Sequence, residues 1–204
     1  MPFKNGRPSF PGKQLVWCIL LGTTIQGSAQ DHRFDIWKGN AVVGSILVKR
    51  KVDGDRTHYV MSSFSEFDLL WKQQVRSLVS TEYLNGGMSK AYAHVKVNGT
   101  VRDSSHFHLE QDTATCYVHP DDHFVHEGRV EWTTARMYYE EPVGQPLIFV
   151  ESVLRNCRLQ GTGPGTYRLH LPDGKVNNYT YRNGRLEEVH VDRTFFELVF
   201  RRDG

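Results

Sequence analysis

The chain has 204 residues, is 39% hydrophobic, 24% charged and 12% aromatic, and carries a formal charge of +2. That length holds one domain of ordinary size, and the apolar content excludes global disorder. With 18 Gly, 8 Pro and 3 Cys it is neither collagen-like nor disulfide-dense, and no apolar run approaches the roughly 20 residues of a membrane-spanning helix.

Residues 1–29 read as a secretory signal peptide. Lys4, Arg7 and Lys13 are the charged side chains ahead of Asp31, and they precede the apolar run Leu15-Val16-Trp17-Cys18-Ile19-Leu20-Leu21. Gly27-Ser28-Ala29 supplies the small residues for cleavage after Ala29 or Gln30. Cys18 lies inside the apolar run and lacks the Leu–small–small residues that precede a lipoprotein anchor. The expected product is a single β-rich domain over 30–204, periplasmic or secreted, without a transmembrane segment once the leader is gone. That domain keeps 22 of the 25 basic residues and all 23 acidic ones, for a charge of −1. Without a Lys/Arg cluster along the chain, no nucleic-acid partner is expected.

The following residues are β-patterned. Phe34 and Ile36 alternate before Gly39-Asn40, and Val42-Val43-Gly44-Ser45-Ile46-Leu47-Val48 runs toward the Asp53-Gly54-Asp55 turn. His58-Tyr59-Val60-Met61 and the segment from Leu69 to Tyr83 follow, stopping at Asn85-Gly86-Gly87. From Ser89 to Val97 the alternation is strict. Ala91, Ala93, Val95 and Val97 point one way, while Lys90, Tyr92, His94 and Lys96 point the other. Asn98-Gly99 leads into Val101–Glu110, then Thr113–Val118. Pro120 to Gly128 has Pro and acids first, His late and Gly last, which predicts a short helix. Thr133 to Glu140, stopped by Pro142, fits a two-turn helix capped by Thr133 or a strand, and the helix is the expectation carried forward. Gly161-Thr162-Gly163-Pro164-Gly165 reads as a flexible loop tip. Tyr167–Leu171, Asn178–Tyr181, Leu186–Val191 and Phe195–Phe200 complete the set, with turns at Pro172-Asp173-Gly174 and Asn183-Gly184. Short strands with hairpin turns between them predict an all-β fold: one strongly curved antiparallel meander sheet, or half-barrel, with one or two short helices.

The succession Phe34-Asp35-Ile36, Val42-Val43-Gly44, Thr81-Glu82-Tyr83 and Met137-Tyr138-Tyr139-Glu140-Glu141-Pro142 resembles a family of exported, β-rich bacterial proteins of unknown function, common in Bacteroidota. The most specific part is Tyr167 to Gly174 with Asn177, Tyr179, Tyr181 and Asn183-Gly184. The resemblance covers residues 32–202. It is similar in style to a second unknown-function family of periplasmic β-proteins, and more loosely to the half-barrels of lipoprotein carriers. It implies one bent antiparallel sheet with a short helix in its concavity, and it implies no activity and no catalytic residue.

Several constellations carry possible chemistry. His119, Asp122, His123 and His126 would bring three groups to one face if their segment is helical, a set suited to Zn²⁺, with His106 and His108 as further ligands; a solvated helix end explains the same residues. Glu140, Glu141 and Glu151 suit an acid/base pair, or are simply solvated carboxylates. No nucleotide-binding glycine loop and no G-x-S-x-G elbow is present, so no cofactor is expected. Cys116 and Cys157 form either one disulfide or two separately buried thiols. Aromatic residues occur on nearly every strand. Trp71, Tyr92, Trp132, Tyr138, Tyr139 and Tyr167 are the candidates for lining a cavity in the concave face. The leading expectation is an exported, non-enzymatic β-protein of the bacterial envelope that binds a lipophilic or amphipathic small ligand there. An interaction module that meets an envelope protein without any small ligand, and a hydrolase using the carboxylates or the His/Asp cluster, are the alternatives.

Overall fold

The computed structural model describes residues 29–68, 71–193 and 196–204. The expected leader up to residue 28, Leu69-Leu70 at the head of one expected strand and Phe195 at the head of another lie outside the described residues.

Alternation converts this sequence into strands β1 (Ala29–Lys38), β2 (Ala41–Asp53), β3 (Arg56–Asp68), β4 (Lys72–Leu84), β5 (Gly87–Val97), β6 (Thr100–Glu110), β7 (Thr113–Val118) and β8 (Asp122–His126). A four-residue helix α1 (Thr134–Met137) follows, then β9 (Leu147–Val150), β10 (Arg155–Gly163), β11 (Thr166–His170), β12 (Val176–Arg182), β13 (Arg185–Arg193) and β14 (Phe196–Arg202). The described strands form one antiparallel, unclosed sheet in the order β8-β7-β6-β5-β4-β3-β2-β1-β14-β13-β12-β11-β10-β9. Its middle is the pairing of the first strand with the last, with Phe34 opposite Arg202 and Ile36 opposite Phe200. Two meanders spread outward from that seam. The fold is therefore all-β, one curved antiparallel meander.

The turns obey local chemistry. At Asn98-Gly99 and Asn183-Gly184 both residues have positive φ, the backbone a two-residue hairpin requires and one that Asn and Gly adopt at least cost. Period-two burial then sets the faces. Phe34, Ile36, Ile46, Val48, Ala91, Ala93, Leu169, Tyr179 and Val189 are buried on the concave side, while the residues between them face out. Gly44 marks a close approach: a Cβ there would stand 2.1 Å from the Phe64 carbonyl oxygen and 2.6 Å from the Ser65 Cα.

Two expectations are corrected. Residues from Pro120 to Gly128 form no helix; Asp122–His126 is strand β8, with Phe124 opposite Cys116 and His126 opposite Ala114. Pairing with β7 gives these backbone groups partners and turns Phe124 and His126 inward, which outweighs the helix-like order of Pro, acids and Gly. Nor is Gly161–Gly163 a loop; it ends β10, with an irregularity opposite Tyr167 and Thr166, and the turn is confined to Pro164-Gly165. The second segment is helical and not a strand, but over the four residues of α1 instead of two turns, with Thr133 accepting from the Arg136 amide as expected. The free edge β8 meets β9 and the start of β10 through side chains. Arg155 reaches Asp122 at 3.4 Å, its guanidinium lies 4.8 Å from the Phe124 ring, and His126 packs 5.1 Å from Phe149.

Cys116 and Cys157 are two free, buried thiols. Burial pushes Cys116 up to about 11 and raises Cys157 as well. A thiol whose pKa lies above the working pH stays protonated and unreactive. Thiol titration at pH 8 is therefore expected to find both groups silent in the native protein and both reactive after denaturation. Gly44→Ala is expected to lose about 3 kcal/mol in denaturant unfolding, because backbone atoms cannot yield to the added methyl as a side chain would.

Candidate functional site

The concave face encloses a plug and a cavity. The plug is the segment 130–141, which runs beside β9 with the Phe149 amide donating to the Trp132 carbonyl at 2.8 Å and then forms α1. One buried carboxylate anchors it. Glu151, fully buried, accepts from the Thr81 hydroxyl at 3.1 Å, the Thr134 amide at 3.2 Å, the Ala135 amide at 3.0 Å and, in a short contact, the Thr134 hydroxyl. It satisfies the amides that the first turn of a helix leaves unpaired. Tyr83 donates to Thr133 at 3.1 Å and Tyr181 to the Met137 carbonyl at 2.7 Å, so the plug is held from both walls.

Beyond the plug the interior stays open. One lobe of about 230 Å³ is floored by Thr134 and Tyr138 and walled by Ile46, Met61, Val189 and Val191. A second lobe of about 540 Å³ continues it toward a mouth at Asp103, Pro172, Asp173 and Lys175. The lobes share Ser63, Ser77, Val95, Ser152, Leu171 and Phe200 as lining. Their walls differ in chemistry. β3, β4 and the turn after β9 contribute the hydroxyls of Ser63, Ser65, Ser77 and Ser152, whereas Leu171, Leu198 and Phe200 on the other side are apolar. Ser63 and Ser77 hydrogen-bond each other at 2.7 Å. The Asn177 Oδ1 is buried against the inner lobe and accepts no hydrogen bond from the protein. Volumes of this size match small-molecule sites.

Among the six aromatic candidates Tyr138 lines the inner lobe. Trp71 is 65% exposed. Tyr92 faces outward against His94 and His106. Trp132 stacks under the Arg136 guanidinium at 4.2 Å. Tyr139 sits at the plug end between His32 and Arg50 and donates to the Gln30 carbonyl at 2.8 Å. Tyr167 donates to Glu141 at 2.7 Å, and burial followed by that carboxylate pushes its phenol up to about 12. The His/Asp set is divided by the strand geometry of β8. His123 stacks on Tyr117, Asp122 reaches Arg155, and His126 lies inside between Phe107 and Phe149, where burial lowers its pKa. The His119 amide bonds the Ser104 carbonyl at 2.8 Å. Among the described residues no group of three His, Cys, Asp or Glu is arranged to hold a metal ion.

The three carboxylates weighed as acid/base groups are each tied to the plug. Glu140 meets Arg136 at 2.7 Å and Arg50 at 3.5 Å, Glu141 accepts from Tyr167, and Glu151 caps α1. The serines were not among the candidates read from the sequence, and Asn177 appeared there only within the family resemblance. The signal for the serines was their place at period two between Met61 and Phe67 on one face of β3.

Residues 34–203 match the model of a domain of unknown function, DUF6134. No curated protein matches the chain in sequence. In structure the chain is similar to a crystal structure of a β-barrel-like protein of the domain of unknown function DUF1849 from Brucella abortus. The TM-score is 0.50 at 12% identity, over 85% of this chain and 95% of that one. At that identity the likeness concerns the fold alone.

Glu151→Ala removes the cap and leaves buried donors unpaired. It is expected to destabilise the domain by about 3 kcal/mol in denaturant unfolding, with Glu151→Gln, which keeps an acceptor, losing less.

Proposed function

We propose, from the premise that this chain belongs to the DUF6134 family, that it is a non-enzymatic carrier holding one amphipathic small molecule with a long apolar body inside its sheet. The observation that carries the reading is the two-sided cavity behind the plug, with serine hydroxyls along one wall and aliphatic and aromatic groups along the other. Such a cleft stabilises a ligand by burying its apolar surface, at about 25 cal/mol per Å², while a few placed polar groups set its orientation. Asp173 and Lys175, paired at 2.5 Å, leave the mouth polar for a headgroup. The basic, apolar and small-residue order of residues 1–29 supports placing this carrier outside the cytoplasm, in the bacterial envelope.

Titration with an environment-sensitive naphthylamine dye tests the proposal. Saturable one-to-one uptake is expected, with displacement by single-chain amphiphiles. Val95→Trp, which fills the neck shared by both lobes, is expected to abolish uptake while the thermal midpoint stays near that of the unaltered chain. Absence of uptake, or uptake indifferent to Val95→Trp, would overturn the carrier reading in favour of a module without a small ligand.

A further inference from the structure

The rim of the cavity mouth has a chemistry that the interior does not need. Strand register brings the hairpin tips β1–β2, β3–β4 and β5–β6 to the mouth end of the sheet, closed by the pairs Lys38–Ala41, Asp68–Lys72 and Val97–Thr100. Hydrogen bonds tie these tips side by side. Lys38 Nζ donates to the Asp68 carbonyl at 2.9 Å, the Gln74 amide to the Asn98 side chain at 2.8 Å and the Asn98 amide to the Gln74 carbonyl at 2.9 Å. Phe67 and Val75, just below the β3–β4 tip, line the outer lobe, so the three tips together form one lip of its mouth.

Each tip presents an apolar side chain to solvent, Val42, Trp71 and Val101 in turn. Trp71, 65% exposed, is the largest exposed apolar side chain among the described residues. Cations accompany them. Over residues 38–42, 66–76 and 96–103 the lip carries Lys38, Lys72, Arg76, Lys96 and Arg102 against Glu66, Asp68 and Asp103. Lys72 is held by Glu66 at 2.7 Å. Arg76, which rests on the Phe64 ring at 5.1 Å, stands opposite Lys96 at a depression of about 320 Å³ that Gln74 and Gly99 complete. Among the described residues neither cation is within ion-pair distance of a carboxylate. Other turns at the mouth end differ: the β7–β8 turn carries Asp121 and Asp122, and the β11–β12 turn pairs Asp173 with Lys175.

We propose that this lip docks on a phospholipid bilayer with anionic headgroups, Trp71, Val42 and Val101 entering the headgroup boundary and the Arg76/Lys96 depression taking a lipid phosphate. The inference rests on the carrier reading. An amphipathic molecule with a long apolar body resides in bilayers, and it reaches a cavity without exposing that body to water only when the mouth meets the membrane. An indole ring favours the membrane–water interface, where its apolar body is buried while its N–H stays hydrated. Basic side chains beside it gain from the negative surface potential of anionic lipids. The position of the mouth selects this end of the sheet, and charge selects the lip. A folded protein partner is less well matched, because cations separate the three apolar groups whereas the centre of a protein interface is depleted of charge.

Hydrogen exchange read by mass spectrometry on the full chain, with and without vesicles of equimolar phosphatidylcholine and phosphatidylglycerol, tests the lip. Vesicles are expected to slow exchange several-fold in peptides covering 66–76 and 96–103 and to leave 119–126 and 176–191 unchanged. Trp71→Ala with Val101→Ser is expected to remove this protection. Arg76→Gln with Lys96→Gln is expected to reduce it to the level given by phosphatidylcholine alone. Uptake of the naphthylamine dye by both variants is expected to match that of the unaltered chain, since none of the four side chains lines either lobe. Protection that is absent from the lip, confined to residues 1–29, or unaffected by Trp71→Ala with Val101→Ser would overturn the docking while dye uptake leaves the carrier reading in place. Lip protection in a chain that takes up no dye would overturn the carrier reading instead.

Discussion

The interior depends on one buried carboxylate. A sheet whose end strands do not pair with each other leaves its concave face to be filled by something else, and here the filler is a short stretch of chain between β8 and β9. Glu151 gathers Thr81 from β4 with the first amides of α1, while its own carbonyl accepts from the Ser105 hydroxyl of β6 at 2.6 Å. A buried charge is tolerated only when its acceptor capacity is used, and this one is bonded on both oxygens. The helix it caps is far too short to persist alone, so the plug exists because the sheet and Glu151 hold it.

From that knot the division of the interior follows. On one side of α1, Ala135 packs with Tyr59, Tyr83, Phe107 and Phe149; on the other, Met137 and Tyr138 join Phe34, Ile46 and Tyr179. The plug stops short of the rim formed by Phe67, Val75 and Leu198, and the two-lobed space with its serine wall begins there. Closure is by side chains rather than by strand pairing, through Arg155 against Asp122 and Phe124 and His126 against Phe149. A sheet joined in this way keeps an interior that a fully hydrogen-bonded small barrel would fill with its own side chains.

Because successive residues of a strand face opposite ways, the same segments serve two surfaces. Ser77 and Val95 line the cavity, while Arg76 and Lys96, their immediate neighbours, border the outer depression. A slip of one residue in register would exchange these sets. The Asn-Gly turns at both ends of β5 resist such a slip, and so does the alternation of Ala91, Ala93 and Val95 with Lys90, Tyr92 and His94.

Much of the architecture was legible in the chain itself. Period-two patterning and the Asn-Gly pairs are local, so they announced the strands, their hairpins and the all-β class, and Thr133 announced the start of α1. The segment after Pro120 was misread because the signals for a helix end and for a hairpin return are the same few residues, and the free edge of β7 decided between them. Cavity lining was not legible either. An aromatic residue looks the same in sequence whether it points inward or outward, and it took the docking of the plug to put Tyr138 inside and the strand register to put Tyr92 outside. Glu151 and Asn177 are the sharpest cases: one meets Thr81 across 70 residues of chain, the other faces walls drawn from β2 to β14. Composition and periodicity determined which backbone would form, since those depend on neighbours in sequence. Which polar groups would be buried, and around what space, was decided by contacts that only the folded sheet brings together.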